Sequence, residues 1–393
     1  FSGSLVVAYR LLGGAAFSRR SPMIPYVKGR VARQAHVELP AGTCEEEYAR
    51  SGFSGRYAHL YRTAPPVAWS RIEGPLKPRA FDLRGVTAPT GDYLADRRPQ
   101  LQNDDVVVSF ARLAAPMRWF FRNADADEIL FVHAGGGTLE SDFGPLTYRR
   151  GDYLVIPRGT VYRLVPSDVT SLLVIETRGE VRFPDRGMLG QHALFDPAVV
   201  DVPSPSEDGP GSTLAANADG EFELRILARG AVTRVFYPHC PLNTVGWKGT
   251  LSVQRLNVAD IRPVSCDRYH LPPSAHSTFV TDGVVICSFL PRPLENGDPN
   301  AMKVPFYHSN IDFDEVLFYH DGEFFSRTGI DAGMLTYHPA GIHHGPQPGA
   351  EGRSKAAKET QEVAVMIDTR RPLHVVDGAA GEVVDYWKSW GAP

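Results

Sequence analysis

The two halves of this 393-residue chain carry the same skeleton of residues at the same spacing, and that repetition restricts the available folds more than any single motif does. The stretch FFRNADADEILFVHAG in the first half matches FYHSNIDFDEVLFYHDG in the second. In each, an Asn stands five positions before a Glu (Asn123 and Glu128; Asn310 and Glu315), and a Gly follows that Glu by seven (Gly135; Gly322). A second pair of segments agrees as well: Gly151, Pro157 and Gly159 repeat the intervals of Gly333, Pro339 and Gly341. Around both pairs, short runs of Val, Ile, Leu, Phe and Tyr are broken every eight to twelve residues by Gly, Pro, Asp or Asn. Such runs read as successive antiparallel strands. The expected class is therefore all-β, two copies of one β unit with few short helices. Residues 44–52 are expected to make a turn or two of helix, and DYWKSW near the C-terminus a short cap.

A chain of this length with 43% hydrophobic residues can bury the core of two such units. The segment at 201–220, DVPSPSEDGPGSTLAANADG, is rich in Pro, Ser, Gly and acidic residues and reads as an exposed linker. It separates an expected N-terminal lobe at 23–200 from a C-terminal lobe at 221–393. Residues 1–22 carry three Arg and no acidic residue ahead of Met23, and read as an extension or as a transit-type segment. The net charge of -4 is spread without a basic block, which excludes the electrostatic footprint of a nucleic-acid binder. Cys44, Cys240, Cys266 and Cys287 form no C-x-x-C pair, so neither a disulfide framework nor a structural zinc site is expected, and a cytoplasmic setting is. No run approaches the roughly 18 to 20 apolar residues of a membrane span.

The repeated intervals resemble the two signature motifs of the cupin β-barrel, G-x5-H-x-H-x3,4-E-x6-G and G-x5-P-x-G-x2-H-x3-N. The fold this implies is a double cupin. The second copy places His308, Glu315 and His344 at motif positions, with Asn310 where the pattern has its other His. Two imidazoles and one carboxylate are the set found in mononuclear iron(II) oxygenases, where open positions remain for substrate and O2. The set restricts the metal without fixing it; manganese, nickel and zinc stay open. Because His308 and Glu315 are an odd number of positions apart, a bulge or hairpin bend is expected between them. The first copy has Phe121 and Tyr162 in place of the two histidines, so it is expected to be a structural lobe, with one metal per chain.

Over most of the chain after Met23 the sequence resembles, more narrowly, the homogentisate 1,2-dioxygenase family in its shorter bacterial form. The stretches that carry this are SGFSGRYAHLYR, DEILFVHAGGGTLESDFGPL, NTVGWKG, RYHLPPS, FLPR, FYHSN and HHGP. The resemblance implies a non-haem Fe(II) enzyme that opens the ring of homogentisate, or a close hydroquinone acid, with O2 to a maleylacetoacetate-type product. It also implies a homo-oligomer, a trimer or hexamer. Carried over by position, iron falls to His308, Glu315 and His344, and the catalytic histidine that takes a phenol proton is His270. Taken alone, His270 reads as a residue that stabilises a proline-rich turn. His338 and His344 match positions near the bound substrate, while His343 is expected to point away. His276 and His320 are left unassigned, as possible supports behind the ligands. The sequence departs from the family in two places. Glu315 follows its His by seven positions rather than six, and Phe324 stands where the family has a substrate-contacting tyrosine. A lost hydroxyl costs about 0.5 to 1.5 kcal/mol in one hydrogen bond. Two alternatives therefore stay open: a dioxygenase for another dihydroxylated aromatic acid such as gentisate, and a metal-binding double cupin without oxygenase activity.

Overall fold

A computed structural model describes residues 26–391 apart from 87–89, 206–210 and 304–305. The expected extension at 1–22 lies outside the described residues, as does part of the expected linker. Five strands open the chain: β1 (Cys44–Ala49), β2 (Tyr57–Arg62), β3 (Arg79–Asp82), β4 (Arg98–Gln102) and β5 (Val106–Leu113). The repeat region supplies β6 (Phe120–Asn123), β7 (Asp127–Ala134), β8 (Gly136–Ser141), β9 (Gly144–Arg149), β10 (Asp152–Ile156), β11 (Val161–Pro166) and β12 (Thr170–Thr177). Then come β13 (Phe222–Ala228), β14 (Ala231–Tyr237), β15 (Gln254–Asn257), β16 (Ser277–Val280) and β17 (Val284–Phe289). The second repeat gives β18 (Tyr307–Asn310), β19 (Asp314–Asp321), β20 (Met334–His338), β21 (Val363–Thr369) and β22 (His374–Val375). The all-β expectation holds: the α-helices among the described residues are Tyr93–Asp96 and Ala350–Ser354. The C-terminal cap is a 3-10 turn at Tyr386–Trp390. None of these helices is long and apolar enough to cross a membrane.

Two sheets build the first lobe, in the orders β15-β10-β7-β12-β5-β4-β22 and β14-β13-β6-β11-β8-β9. The second lobe is built from β16-β17-β21-β19-β20-β3 and from β18-β1-β2. Strand pairing thus moves the expected domain boundaries. Residues after the 201–220 segment, in β13 to β15, pair with β6 and β10 of the first lobe, whereas β1 and β3 pair with β18 and β20 of the second. Each lobe completes its sheets with a segment from the other half of the chain. The expected helix at 44–52 is also corrected, because β1 is hydrogen-bonded on both sides, to β2 and to β18. Tertiary pairing here overrides the local helical tendency of CEEEYA.

The continuous apolar run EILFV in β7 follows from burial on both faces. Leu130 and Val132 point into the first lobe with Leu154, Tyr162 and Leu172. Ile129 and Phe131 point the other way, against Val316, Phe318 and Ile367 of the second lobe. Strand alternation thus makes one sheet serve two cores, and each such fully buried side chain contributes about 1.5 to 3 kcal/mol. The motif glycines Gly135 and Gly322 have φ of 81° and 87°. A Cβ at either would collide with a backbone carbonyl, that of Val169 or Gln361, so the repeat requires glycine there.

Candidate metal centre and its cavity

His308 lies on β18 and His344 in the loop after β20, and the two are paired across an antiparallel bridge. Their backbones exchange both hydrogen bonds, His308 N–H to His344 O at 2.9 Å and the reverse at 3.1 Å. Residues directly opposed in this way project side chains to the same face. The rings meet edge to face, with centroids 4.2 Å apart. Glu315 is the second residue of β19, which belongs to the other sheet of the lobe. The expected bend between His308 and Glu315 is therefore a corner between two sheets rather than a hairpin, and the odd spacing poses no difficulty. The three side chains are buried, and their ligand atoms lie within 4.8 Å of one another.

The donor chemistry of this cluster fits a metal ion. His308 Nδ1 donates to Phe306 O at 2.9 Å, and His344 Nδ1 lies 3.5 Å from Ile342 O. Each ring thereby turns Nε2 inward, to 3.6 Å and 3.4 Å from Glu315 Oε2 respectively. Both Nε2 atoms are buried without a hydrogen-bond partner. A buried imidazole nitrogen left unpaired is costly unless something else, such as a cation, takes its lone pair. Burial works to raise the Glu315 carboxyl, but the histidines around it, His344 foremost, outweigh that and hold it well below the usual range. It is a carboxylate, as a ligand must be.

Supporting contacts surround the three. His338, in register with Glu315 across β19 and β20, donates its Nδ1–H to Glu315 Oε1 at 2.7 Å. Its ring stacks on His344 at 4.9 Å. His343 turns away, as expected, and places Nε2 2.7 Å from Glu46 Oε1. Asn310 is buried beside the cluster without being one of the three. His320 lies far from any ligand role; its Nδ1 meets His133 Nδ1 at 3.0 Å where the lobes touch.

His308 and Glu315 also line a cavity that opens to solvent, with about 610 Å³ of empty space when the solvent at its mouth is included. His270 stands in its wall with Nδ1 2.9 Å from Glu295 Oε1. Burial lowers the His270 pKa and outweighs the hydrogen bond from Glu295, which raises it. The ring is neutral, with Nδ1–H donated to the carboxylate and Nε2 left as a base. His276, from the same HLPPSAH stretch, lines the cavity too, and burial pushes it down to about 3. Phe324 does not line the cavity. It packs edge to face on Tyr319 at 4.8 Å, in a core cluster with Ile330, Met334 and Trp390, because a ring without a hydroxyl loses nothing by burial there. The expected substrate contact at Phe324 is thus replaced by a packing role. Residues that spacing did not point to are Glu295, Arg292, Arg327 and Glu362. They lie outside both motifs, and only FLPR touched one of them.

The first lobe shows the same geometry without the imidazoles. Phe121 and Tyr162 are paired across β6 and β11 as His308 and His344 are paired in the second. Glu128 is buried at the position of Glu315, and accepts from Tyr162 Oη at 2.9 Å and from Arg97 Nη2 at 2.7 Å. A guanidinium thus supplies the positive charge opposite this carboxylate. In a further group, His36, Glu45 and His59, Glu45 Oε2 accepts from His36 Nδ1 at 2.8 Å and Oε1 from Tyr61 at 2.9 Å, while His59 Nε2 lies 3.5 Å from Glu47 Oε2.

The chain is similar to known proteins over most of its described length. Residues 94–256 match the family model Homogentisate 1,2-dioxygenase N-terminal. A protein of Saccharolobus solfataricus named "Putative dioxygenase" is 33% identical over 350 residues, covering 84% of this chain and 88% of that protein. Homogentisate 1,2-dioxygenase of Rhodopseudomonas palustris is 26% identical over 353 residues, 83% of this chain and 76% of that one. The enzyme of the same name from Bradyrhizobium diazoefficiens is 25% identical over 289 residues, 68% of this chain and 62% of that one. Among solved structures, a cupin 2 conserved barrel domain protein from Leptotrichia buccalis aligns with 74% of this chain and 96% of that one, at 10% identity and a TM-score of 0.34, too loose to add to the strand pairing above. On the sequence matches, this chain belongs to the homogentisate 1,2-dioxygenase family.

Proposed function

We propose that the protein is a non-haem Fe(II) dioxygenase that opens the ring of homogentisate, or a close hydroquinone acid, placing both atoms of O2 in a maleylacetoacetate-type product. The observation that carries this reading is one cavity lined both by His308 and Glu315 of the three-residue cluster and by the neutral His270 held by Glu295. When bound, the iron supplies the redox chemistry and charge stabilisation that bring an aromatic ring and O2 to react. The three ligands would come from this chain's second lobe alone.

The chain's own residues do the rest. His270 Nε2 accepts the proton of a substrate phenol, and Glu295 keeps the ring in the tautomer that leaves Nε2 free. Phe289, Phe306 and Leu317 give the cavity apolar walls that hold an aromatic ring and keep water from the reacting atoms. With Phe324 in the core, the cavity wall gives no support to gentisate over homogentisate. The non-oxygenase reading predicts that His270→Ala leaves function intact.

Anaerobic iron loading followed by oxygen-uptake measurement with homogentisate and gentisate tests the proposal. One O2 consumed per homogentisate is expected. No uptake from a chain that retains its iron would sink the named substrate.

A further inference from the structure

Arg292 presents a buried cation to the cavity. Its side chain is 8% exposed, and its Nη1 is buried with no hydrogen-bond partner. The backbone on either side is fixed, since Arg292 N–H donates to Thr360 Oγ1 at 3.2 Å and Thr360 N–H to Arg292 O at 2.8 Å. The nearest carboxylate, Glu362, keeps Oε1 3.8 Å from Nη1, beyond hydrogen-bond reach. A guanidinium in this state has donors to offer and no acceptor to receive them, a costly arrangement unless a ligand completes it.

The charges of the wall point to the ligand's chemistry. Apart from Glu315, whose charge faces the histidines, the cavity is lined by Arg292 and Arg327 against the single carboxylate of Glu362. Burial pushes the Glu362 carboxyl up, so it offsets the two guanidiniums less than an exposed carboxylate would. Arg327 is partly committed, because its Nη1 donates to Gly345 O at 2.7 Å and Ser326 O at 3.3 Å. Arg292 is the free fork, and a planar fork suits a carboxylate.

We propose that Arg292 binds the carboxylate of the aromatic substrate, so that the site selects acids over neutral phenols of the same ring. The inference rests on the cavity being an aromatic-acid site, as proposed above.

Calorimetric titration of the full chain, iron-loaded and without oxygen, tests it with 2-hydroxyphenylacetate and its neutral counterpart 2-methylphenol. The wild type should prefer the acid. Arg292→Met should weaken acid binding by about 10- to 100-fold while leaving 2-methylphenol unchanged, and Arg292→Lys should restore part of the loss. Glu362→Gln, which removes the competing negative charge, should tighten acid binding. The proposal is overturned if Arg292→Met keeps the acid preference, or if affinities for both probes fall together. Should that happen while the wild type consumes O2 with homogentisate, the dioxygenase reading stands and only the role of Arg292 falls. A wild type that binds neither probe overturns the role of Arg292, and one that in addition consumes no O2 with homogentisate overturns both.

Discussion

The His338 Nδ1–H bond to Glu315 Oε1, 2.7 Å long, decides which carboxylate oxygen faces the imidazoles of His308 and His344. With Oε1 occupied, Oε2 is the oxygen turned toward both Nε2 atoms. Partners behind metal ligands typically tune affinity in this way. Replacing His338 by Phe keeps a ring to stack on His344 but removes the donor. Iron affinity, measured by competition with a chelator, should fall by about 10- to 100-fold. Unchanged affinity would show that Glu315 needs no such positioning.

Metal binding should also be visible as stability. An ion that binds only the folded chain adds about 2.7 kcal/mol at a free concentration one hundred times Kd. Urea unfolding under anaerobic conditions should show this gain on adding Fe(II), and its reversal with chelator. Glu315→Gln should abolish the difference.

His270 and Glu295 predict a pH signature. Burial holds the His270 pKa below its ordinary value, so the neutral base should persist below about pH 6.5, and kcat/KM should fall only at more acidic pH. Because Glu295 raises that pKa, Glu295→Gln should move the acid limb to lower pH. A loss of rate with an unmoved limb would make Glu295 merely structural. His270→Ala should retain iron and lose about 100- to 10,000-fold in turnover.

At the junction of the lobes, His133 and His320 share one Nδ1 to Nδ1 hydrogen bond of 3.0 Å, which requires that one ring donate and the other accept. Burial pushes them down to about 4 and about 3, with the Arg150 cation adding to the effect and Asp321 opposing it. Both folded values lie below that of the unfolded chain, which therefore takes up protons first. Their contribution is complete above about pH 6.5 and is lost as pH falls toward the folded values, by up to about 1.4 kcal/mol per pH unit for each histidine. Denaturant unfolding from pH 7 to 4 checks this. A His133→Leu/His320→Leu double variant should show a flatter profile.

In the first lobe, Arg97→Met should destabilise by about 3 to 5 kcal/mol, because it leaves the Glu128 carboxylate buried without its cation. Adding Glu128→Gln should recover part of that loss. Equal losses in the single and double variants would mean that the pair is not coupled.

The repeat, the glycine punctuation and the members of the His308, Glu315 and His344 cluster were legible in the sequence because each depends on local intervals: strand alternation, a turn that needs positive φ, a residue at a motif position. His270 became legible only through family resemblance, since a lone histidine beside two prolines has no spacing that marks it. Long-range pairing decided what remained. Which half of the chain completes which lobe is set by hydrogen bonds between strands far apart in sequence, such as Glu47 opposite His308, and no local propensity encodes them. The same is true of Arg97 against Glu128, Glu295 behind His270 and Arg292 in the cavity wall, contacts made between separate segments of chain. Even Phe324, read at its motif position as a substrate contact, was settled by its neighbours in space: Tyr319 and Trp390 offered an apolar ring more burial than the cavity did.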